Sequence, residues 1–220
     1  MSQFSAFLFD LDGVVLDSMQ LHIDAWQFYL KFQGLTDDRL SERMHGKRND
    51  DIVREIFGES LSAEEVFRHG AAKEALFREM MRPHLEDKLV PGIRTFLESW
   101  KSKPMGLGSN AEPPNVSFVL DGAKLRQYFQ AVVDGHQVQR AKPDPDVYLK
   151  AAAQLGVEPR NCLVFEDSMT GVTAGLRAGA KVIGIATTEK ELSGVELMVN
   201  DFNDPALQAW LETNSPGAQT

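Results

Sequence analysis

Apolar and polar positions follow two rhythms along the chain. From Pro91 onward, short apolar or β-branched runs (Met105 to Leu107, Ala131 to Val133, Cys162 to Phe165, Lys181 to Ile185, Glu196 to Val199) alternate with stretches of helical spacing. Ile93, Phe96, Leu97 and Trp100 form one such stretch; Val147, Ala151, Ala152 and Leu155 form a second; Val172, Leu176 and Gly179 form a third. Phe7-Leu8-Phe9 is a further run of the first kind near the start. Strands that are apolar throughout suit a parallel sheet covered on both faces, and their alternation with helices reads as βαβ units. The expected class is α/β, a three-layer Rossmann-like core.

Between Asp17 and about Lys88 the pattern is helical, with no convincing strand. Leu21, Ala25, Phe28 and Phe32 read as one buried stripe ended by Gly34. Ser62 and Glu65 have capping-box spacing, and Val66, Phe67, Leu76, Phe77 and Met80 follow on one helix before Pro83. Residues 17–88 are therefore expected to be a small helical cap domain inserted into a core made of 1–16 and 89–220.

Composition narrows the partners. A chain of 220 residues that is 43% hydrophobic can fill a core without staples. Its 23 basic and 32 acidic side chains give a net charge of −9, which opposes capture of nucleic acid or of an anionic membrane. Cys162 is the single cysteine, the N-terminus lacks a basic-then-apolar leader, and no apolar run approaches the roughly 18 residues of a membrane span. A cytoplasmic monomer acting on a small molecule is the expectation.

The chemistry concentrates where two apolar runs end in acids. Asp10 and Asp12 follow Phe7 to Phe9, and Glu166 and Asp167 follow Leu163 to Phe165. An isolated Asp-x-Asp usually marks a solvated turn, and Glu166-Asp167 alone could be helix N-terminal acids. A calcium loop is excluded, because it needs glycine at its sixth position and glutamate at its twelfth, where this chain has Leu21. If the two strands are neighbours, however, their acids meet in one volume, and a hard divalent cation such as Mg²⁺ is the economical way to neutralise them. Ser109 and Asn110, after another short strand, offer a hydroxyl and backbone N–H groups to a phosphoryl oxygen. Gly106 to Ala111 also fits G-x-G-x-x-A, but Pro113-Pro114 follows and the first βα junction holds acids instead. Lys142, just before Pro143 and a helix expected near Asp144, is a candidate fixed cation.

In order, DLDGVVLDS, GSN, AKPDPDVY and VFEDSMTGV span Asp10 to Val172 and resemble the haloacid dehalogenase superfamily of aspartyl-phosphate phosphotransferases; GVVLDS and the helical insertion are similar to its β-phosphoglucomutase-like branch. The resemblance implies that Asp10 is the nucleophile and Asp12 the general acid and base, with the Asp12 backbone carbonyl also reaching the metal. It implies Mg²⁺ ligation by Asp10 and Asp167, with Glu166 binding directly or through water. Lys142 and Ser109 would hold the transferring group, with Asn110 beside them. A dehalogenase lacks the second acid, which disfavours that chemistry. His22, Trp26, His45, Lys47 and Arg48 are the candidates for substrate contact from the cap. True mutases of this branch carry a cap lysine and, four residues later, an arginine for a second phosphate; aligned on Gly46, this chain has His45 and Asn49. The expected function is a Mg²⁺-dependent phosphatase of small phosphorylated metabolites such as sugar phosphates, with a phosphomutase as the alternative and a non-catalytic phosphate-binding protein as a second one.

Overall fold

The computed structural model describes residues 4–37, 39–40, 44 and 47–214. Six parallel strands, β1 (Ala6–Phe9), β2 (Met105–Gly108), β3 (Ala131–Val133), β4 (Cys162–Glu166), β5 (Lys181–Ile185) and β6 (Leu197–Val199), form one sheet in the order β3-β2-β1-β4-β5-β6. Among the described residues, the segment between β1 and the rest of the core includes α1 (Met19–Phe32), α2 (Asn49–Phe57) and α3 (Ala63–Met81). The remainder alternate with the strands: α4 (Ile93–Ser99), α5 (Pro113–Gly122), α6 (Asp146–Gln154), α7 (Met169–Arg177) and α8 (Pro205–Asn214). The core is thus the α/β, doubly covered parallel sheet that the apolar runs predict.

Alternation along β1 divides the packing between the two faces. Phe7 and Phe9 join Phe96, Phe165 and Phe202 in one cluster, where Phe9 and Phe165 stack with centroids 4.9 Å apart. Ala6 and Leu8 point the other way, toward Tyr148, Ala151, Val164 and Val172. The insertion has its own apolar centre, built from Trp26, Tyr29, Leu30, Leu40, Met44, Ile52, Val53 and Val66.

Sequence pattern and structure part company over which face of α1 is inward. Phe28 is 59% exposed and Phe32 81% exposed, whereas His22, Ala25, Trp26, Tyr29 and Leu30 are buried. The stripe read through Leu21, Ala25, Phe28 and Phe32 is therefore rotated from the true one. Phe67 on α3 is exposed as well, while Val66, Lys73, Glu74 and Phe77 face inward. Polar His22, Lys73 and Glu74 occupy inward positions that a purely apolar stripe cannot identify. The Ser62 capping box is formed in full.

Candidate active site

Sheet order decides the geometry of the site. β1 lies between β2 and β4, with Phe9 paired to both Leu107 and Phe165, so Asp10, Ser109, Glu166 and Asp167 emerge side by side at the carboxyl edge. Carboxylate oxygens of Asp10, Glu166 and Asp167 lie within 4.8 Å of one another. Lys142 Nζ is 2.9 Å from Asp10 Oδ1 and donates to Glu166 Oε1 at 2.6 Å. The Leu11 N–H donates to Asp10 Oδ1 at 2.7 Å. Asp10 is thereby oriented through one oxygen.

Charge in this cluster is unbalanced. Burial, countered by Lys142 and reinforced by Glu166, raises the Asp10 pKa from 3.8 to about 7. Burial and the neighbouring Glu166 and Asp10 push Asp167 well above the ordinary carboxylate range. Burial opposes the charge on Lys142, but Asp10 and Glu166 raise its pKa overall. With all three carboxylates ionised, one lysine leaves the pocket net negative, which is the donor set that a hard divalent cation fits.

Glu166 is held more fully than its neighbours. Tyr148, wholly buried, donates from its hydroxyl to Glu166 Oε1 at 2.5 Å, and Lys142 Nζ sits 4.8 Å from the centre of the Tyr148 ring. The Asp167 N–H and the Ser168 hydroxyl donate to Glu166 Oε2 at 3.1 and 3.4 Å. Two glycines give this cluster its room. A Cβ at Gly171 would come within 1.9 Å of the Glu166 carboxyl carbon, and one at Gly13, where φ is +78°, within 1.7 Å of Asp167 Oδ2.

Asp12 faces elsewhere. Its Oδ1 accepts from the Ser18 hydroxyl at 2.6 Å and lies 3.4 Å from His22 Nε2. Lys73 Nζ donates to His22 Nδ1 at 2.7 Å, and since an ammonium can only donate, Nε2 carries the His22 proton toward Asp12. Lys73 also donates to Glu74 at 2.9 Å, and Asn115 donates to the other Glu74 oxygen at 2.6 Å. Burial would raise Asp12, but the His22 and Ser18 hydrogen bonds and the Lys73 charge more than offset it, so its pKa is lowered. The Asp12 side chain stays outside the three-carboxylate group.

A cavity of 180 Å³ opens between this edge and the insertion. Asp10, Asp12, Ser109, Asn110, Lys142 and Asp167 line its floor, and His22, Trp26, Lys47 and Arg48 line it from the insertion. Glu166 lies behind the floor, wholly buried. Ser109 accepts from the Ala111 N–H at 3.0 Å, and the Asn110 side-chain oxygen accepts from the Lys142 N–H at 3.1 Å. Lys47 is paired with Glu55 at 2.5 Å. Arg48 donates to the Gly135 and Val138 carbonyls at 2.8 and 3.2 Å. His45 lies outside the described residues. Lys73, Glu74, Glu112, Asn115, His136, Tyr148 and Thr188 also border the site or brace it, and sequence reasoning did not single them out. A buried lysine nearly three turns into a helix has no local signature; only the AKPDPDVY motif carried a hint, at Tyr148.

A parallel α/β sheet with an aspartate at the tip of its first strand, a lysine beside it and acids at the tip of the adjacent strand defines an acid-rich phosphoryl-transfer type of site. The chain belongs to the haloacid dehalogenase-like hydrolases, whose family pattern matches residues 4–179. It is 31% identical over 186 residues to the fructose-1-phosphate phosphatase YqaB of Escherichia coli, covering 83% of this chain and 97% of that one. It is 29% identical over 212 residues to the β-phosphoglucomutase of Bacillus subtilis, covering 92% of each. Among solved structures, a family IA hydrolase from Entamoeba histolytica superposes with a TM-score of 0.83 at 27% identity, covering 96% of this chain and all (100%) of the other. A β-phosphoglucomutase from Clostridium difficile gives 0.82 at 27% identity, covering 96% and 97%. The chain is accordingly an enzyme of the phosphatase and phosphomutase kind. No helix among the described residues is long and apolar enough to cross a membrane.

Proposed function

We propose that this protein is a Mg²⁺-dependent phosphatase of small phosphorylated metabolites, sugar phosphates foremost, working through an aspartyl-phosphate, with residues 17–88 as the cap over a core of 1–16 and 89–220. The carrying observation is at the cavity's far wall, where a carboxylate, Glu112, stands beside the place at which the mutases carry a cation. Of the cations that line the cavity from the insertion, Lys47 pairs with Glu55, Lys73 donates to Glu74 and His22, and Arg48 donates from Nη2 to two carbonyls while its Nε has no partner among the described residues. Asn49, at the place where the mutases carry arginine, donates to Glu112 at 3.2 Å. A mutase must grip a second phosphate while its bisphosphate intermediate turns over; a carboxylate at that place repels one.

Asp10 attacks phosphorus in line through the oxygen not engaged by Leu11, forming an acyl phosphate as the P–O bond to the alcohol breaks. Asp12 gives its proton to the departing alkoxide, then takes one from the water that attacks the acyl phosphate, releasing phosphate and restoring both carboxyl groups. Its lowered pKa suits the base half of this duty; the acid half requires proton uptake as substrate, itself a weak acid, binds. Lys142 and Ser109 hold the phosphoryl oxygens. Asp10, Asp167 and the Asp12 carbonyl would hold Mg²⁺, with Glu166 acting through water because its own oxygens already accept four hydrogen bonds. When bound, the ion supplies neutralisation of the negative charge on phosphate and carboxylates. The net charge of −9 supports a free small metabolite rather than nucleic acid as substrate, and we read the protein as a cytoplasmic monomer.

The test is turnover of p-nitrophenyl phosphate with and without Mg²⁺, in the wild type and in Asp10→Asn. Mg²⁺-dependent release of phosphate that the substitution reduces at least about a thousandfold supports the reading. β-Glucose 1-phosphate, supplied with a trace of its bisphosphate, should yield free phosphate. Accumulation of glucose 6-phosphate instead makes the protein a mutase.

A further inference from the structure

The far wall of the cavity contains a donor and an acceptor that the phosphoryl chemistry leaves unused. Trp26 lines the cavity from α1, is wholly buried, and among the described residues its Nε1–H has no hydrogen-bond partner. A buried donor left unmade carries a desolvation cost that a bound ligand can remove. Glu112 lines the cavity from the residue before α5, and among the described residues its carboxylate accepts a hydrogen bond from Asn49 alone. A carboxylate has lone pairs for more than one donor, so capacity remains. Glu74 and Asp50 add negative charge near Glu112, and His136 offsets part of it. Met19, Met44 and Ile52 supply the apolar lining between these polar groups.

We propose that Trp26 and Glu112 form a subsite for an uncharged, hydroxyl-bearing leaving group and determine specificity against leaving groups that carry a second anion. A hydroxyl accepts from the indole N–H and donates to a carboxylate, so it satisfies both. An ammonium satisfies Glu112 alone, because it offers nothing to a donor. A second phosphate satisfies Trp26 but meets like charge at Glu112. The inference rests on the phosphatase reading and deepens it by assigning the part of the substrate that Asp10 never touches.

The experiment compares kcat/KM for three classes of ester at fixed Mg²⁺: the best of a panel of three- to six-carbon sugar monophosphates, the bisphosphate of the same sugar, and p-nitrophenyl phosphate, which has no distal hydroxyl. An amino-sugar phosphate forms a fourth arm. The expected wild-type order places the sugar monophosphate first, above the amino sugar and well above the bisphosphate. Glu112→Gln and Trp26→Phe each lower kcat/KM for the sugar monophosphate about tenfold more than for p-nitrophenyl phosphate, with the loss in KM. Glu112→Lys raises the bisphosphate-to-monophosphate ratio by about tenfold or more. The inference is overturned if the wild type prefers the bisphosphate or the amino sugar, or if both esters fall together in Glu112→Gln, a near-isosteric change that serves as the check should Trp26→Phe misfold. A folded wild type that turns over no ester overturns the phosphatase reading itself, and the inference with it.

Discussion

Asp10 and Asp12 stand one leucine apart, and each escapes the other's charge by facing different partners. Asp10 meets Lys142 at 2.9 Å, while Asp12 is held by Ser18 and by a histidine braced on Lys73. The first pairing is insufficient, and its deficit has a measurable sign. An acid whose native pKa exceeds its unfolded value binds its proton more tightly when folded, so Asp10 contributes most below 3.8 and its contribution is lost as pH rises through about 7. Above that range the ion-free protein bears the full cost of burying the charge, which a divalent cation relieves. Mg²⁺ at about a hundredfold excess over its Kd should raise Tm by about 5–10 °C at pH 8. The same concentration at pH 5.5 should give a clearly smaller rise, because protons then compete for the carboxylates. Calorimetry at the two pH values checks this, and equal shifts would contradict the charge deficit. Asp12 and Glu74, whose pKa values are lowered, act in the opposite direction, but they contribute nearly equally with and without the ion. At this scale Asp10, Glu166 and Asp167, which the sheet brings together, were legible because two separate apolar runs both end in acids. Lys73, Glu74 and Tyr148 were not, since a lysine, a glutamate and a tyrosine within helical stretches ordinarily read as surface or core.

At the scale of elements, every strand was visible as an apolar run, because a strand buried on both faces must be apolar throughout. Two helices of the insertion, α1 and α3, were visible as helices, but not in their orientation; α2 was not singled out. α1 turns Trp26 and Leu30 inward and leaves Phe28 and Phe32 in solvent, since it must also deliver His22 to Asp12 and present Trp26 to the cavity. A period of 3.6 fixes the spacing of a stripe but does not choose between two overlapping ones when functional polar side chains occupy the inner face. The two readings predict opposite mutational results. Phe28→Ser is expected to change unfolding free energy by no more than about 0.5 kcal/mol, while Leu30→Ala, at a position 1% exposed, costs about 2–5 kcal/mol. Urea titration of both variants distinguishes them, and a large loss at Phe28 would restore the rotated stripe. A second comparison concerns close approach. Gly171→Ala on α7 drives a methyl group into the Glu166 carboxylate, and should reduce kcat/KM for p-nitrophenyl phosphate about a hundredfold while circular dichroism stays native.

For the whole molecule the question is what holds the insertion against the core around the cavity. The links come from two helices and the turn before them. Arg48 reaches the Gly135 and Val138 carbonyls, Asn49 donates to Glu112, and Arg78 Nη1 donates to Asn115 Oδ1 at 2.6 Å while Asn115 bonds Glu74. None of these pairings could be read from spacing alone, because each joins residues from distant parts of the chain whose meeting depends on how the two parts dock. Arg48 was expected to face the substrate; it lines the cavity, and its Nη2 also donates to two backbone carbonyls of the core, an arrangement that suits a latch. Hydrogen bonds from a charged donor contribute about 1.5–3 kcal/mol each, enough to shift an open–closed balance by tenfold or more. Arg48→Ala is therefore expected to raise KM about tenfold with a smaller change in kcat, and to speed proteolytic cleavage near the junctions at Asp17 and Lys88. Arg126→Ala, which removes an exposed ion pair with Asp121 wholly within the core, should leave KM within about twofold and the cleavage pattern unaltered. If Arg48→Ala raises KM while leaving proteolysis at the wild-type rate, the guanidinium acts on the substrate directly, and the closure of the cavity depends on Asn49, Arg78 and Asn115 alone.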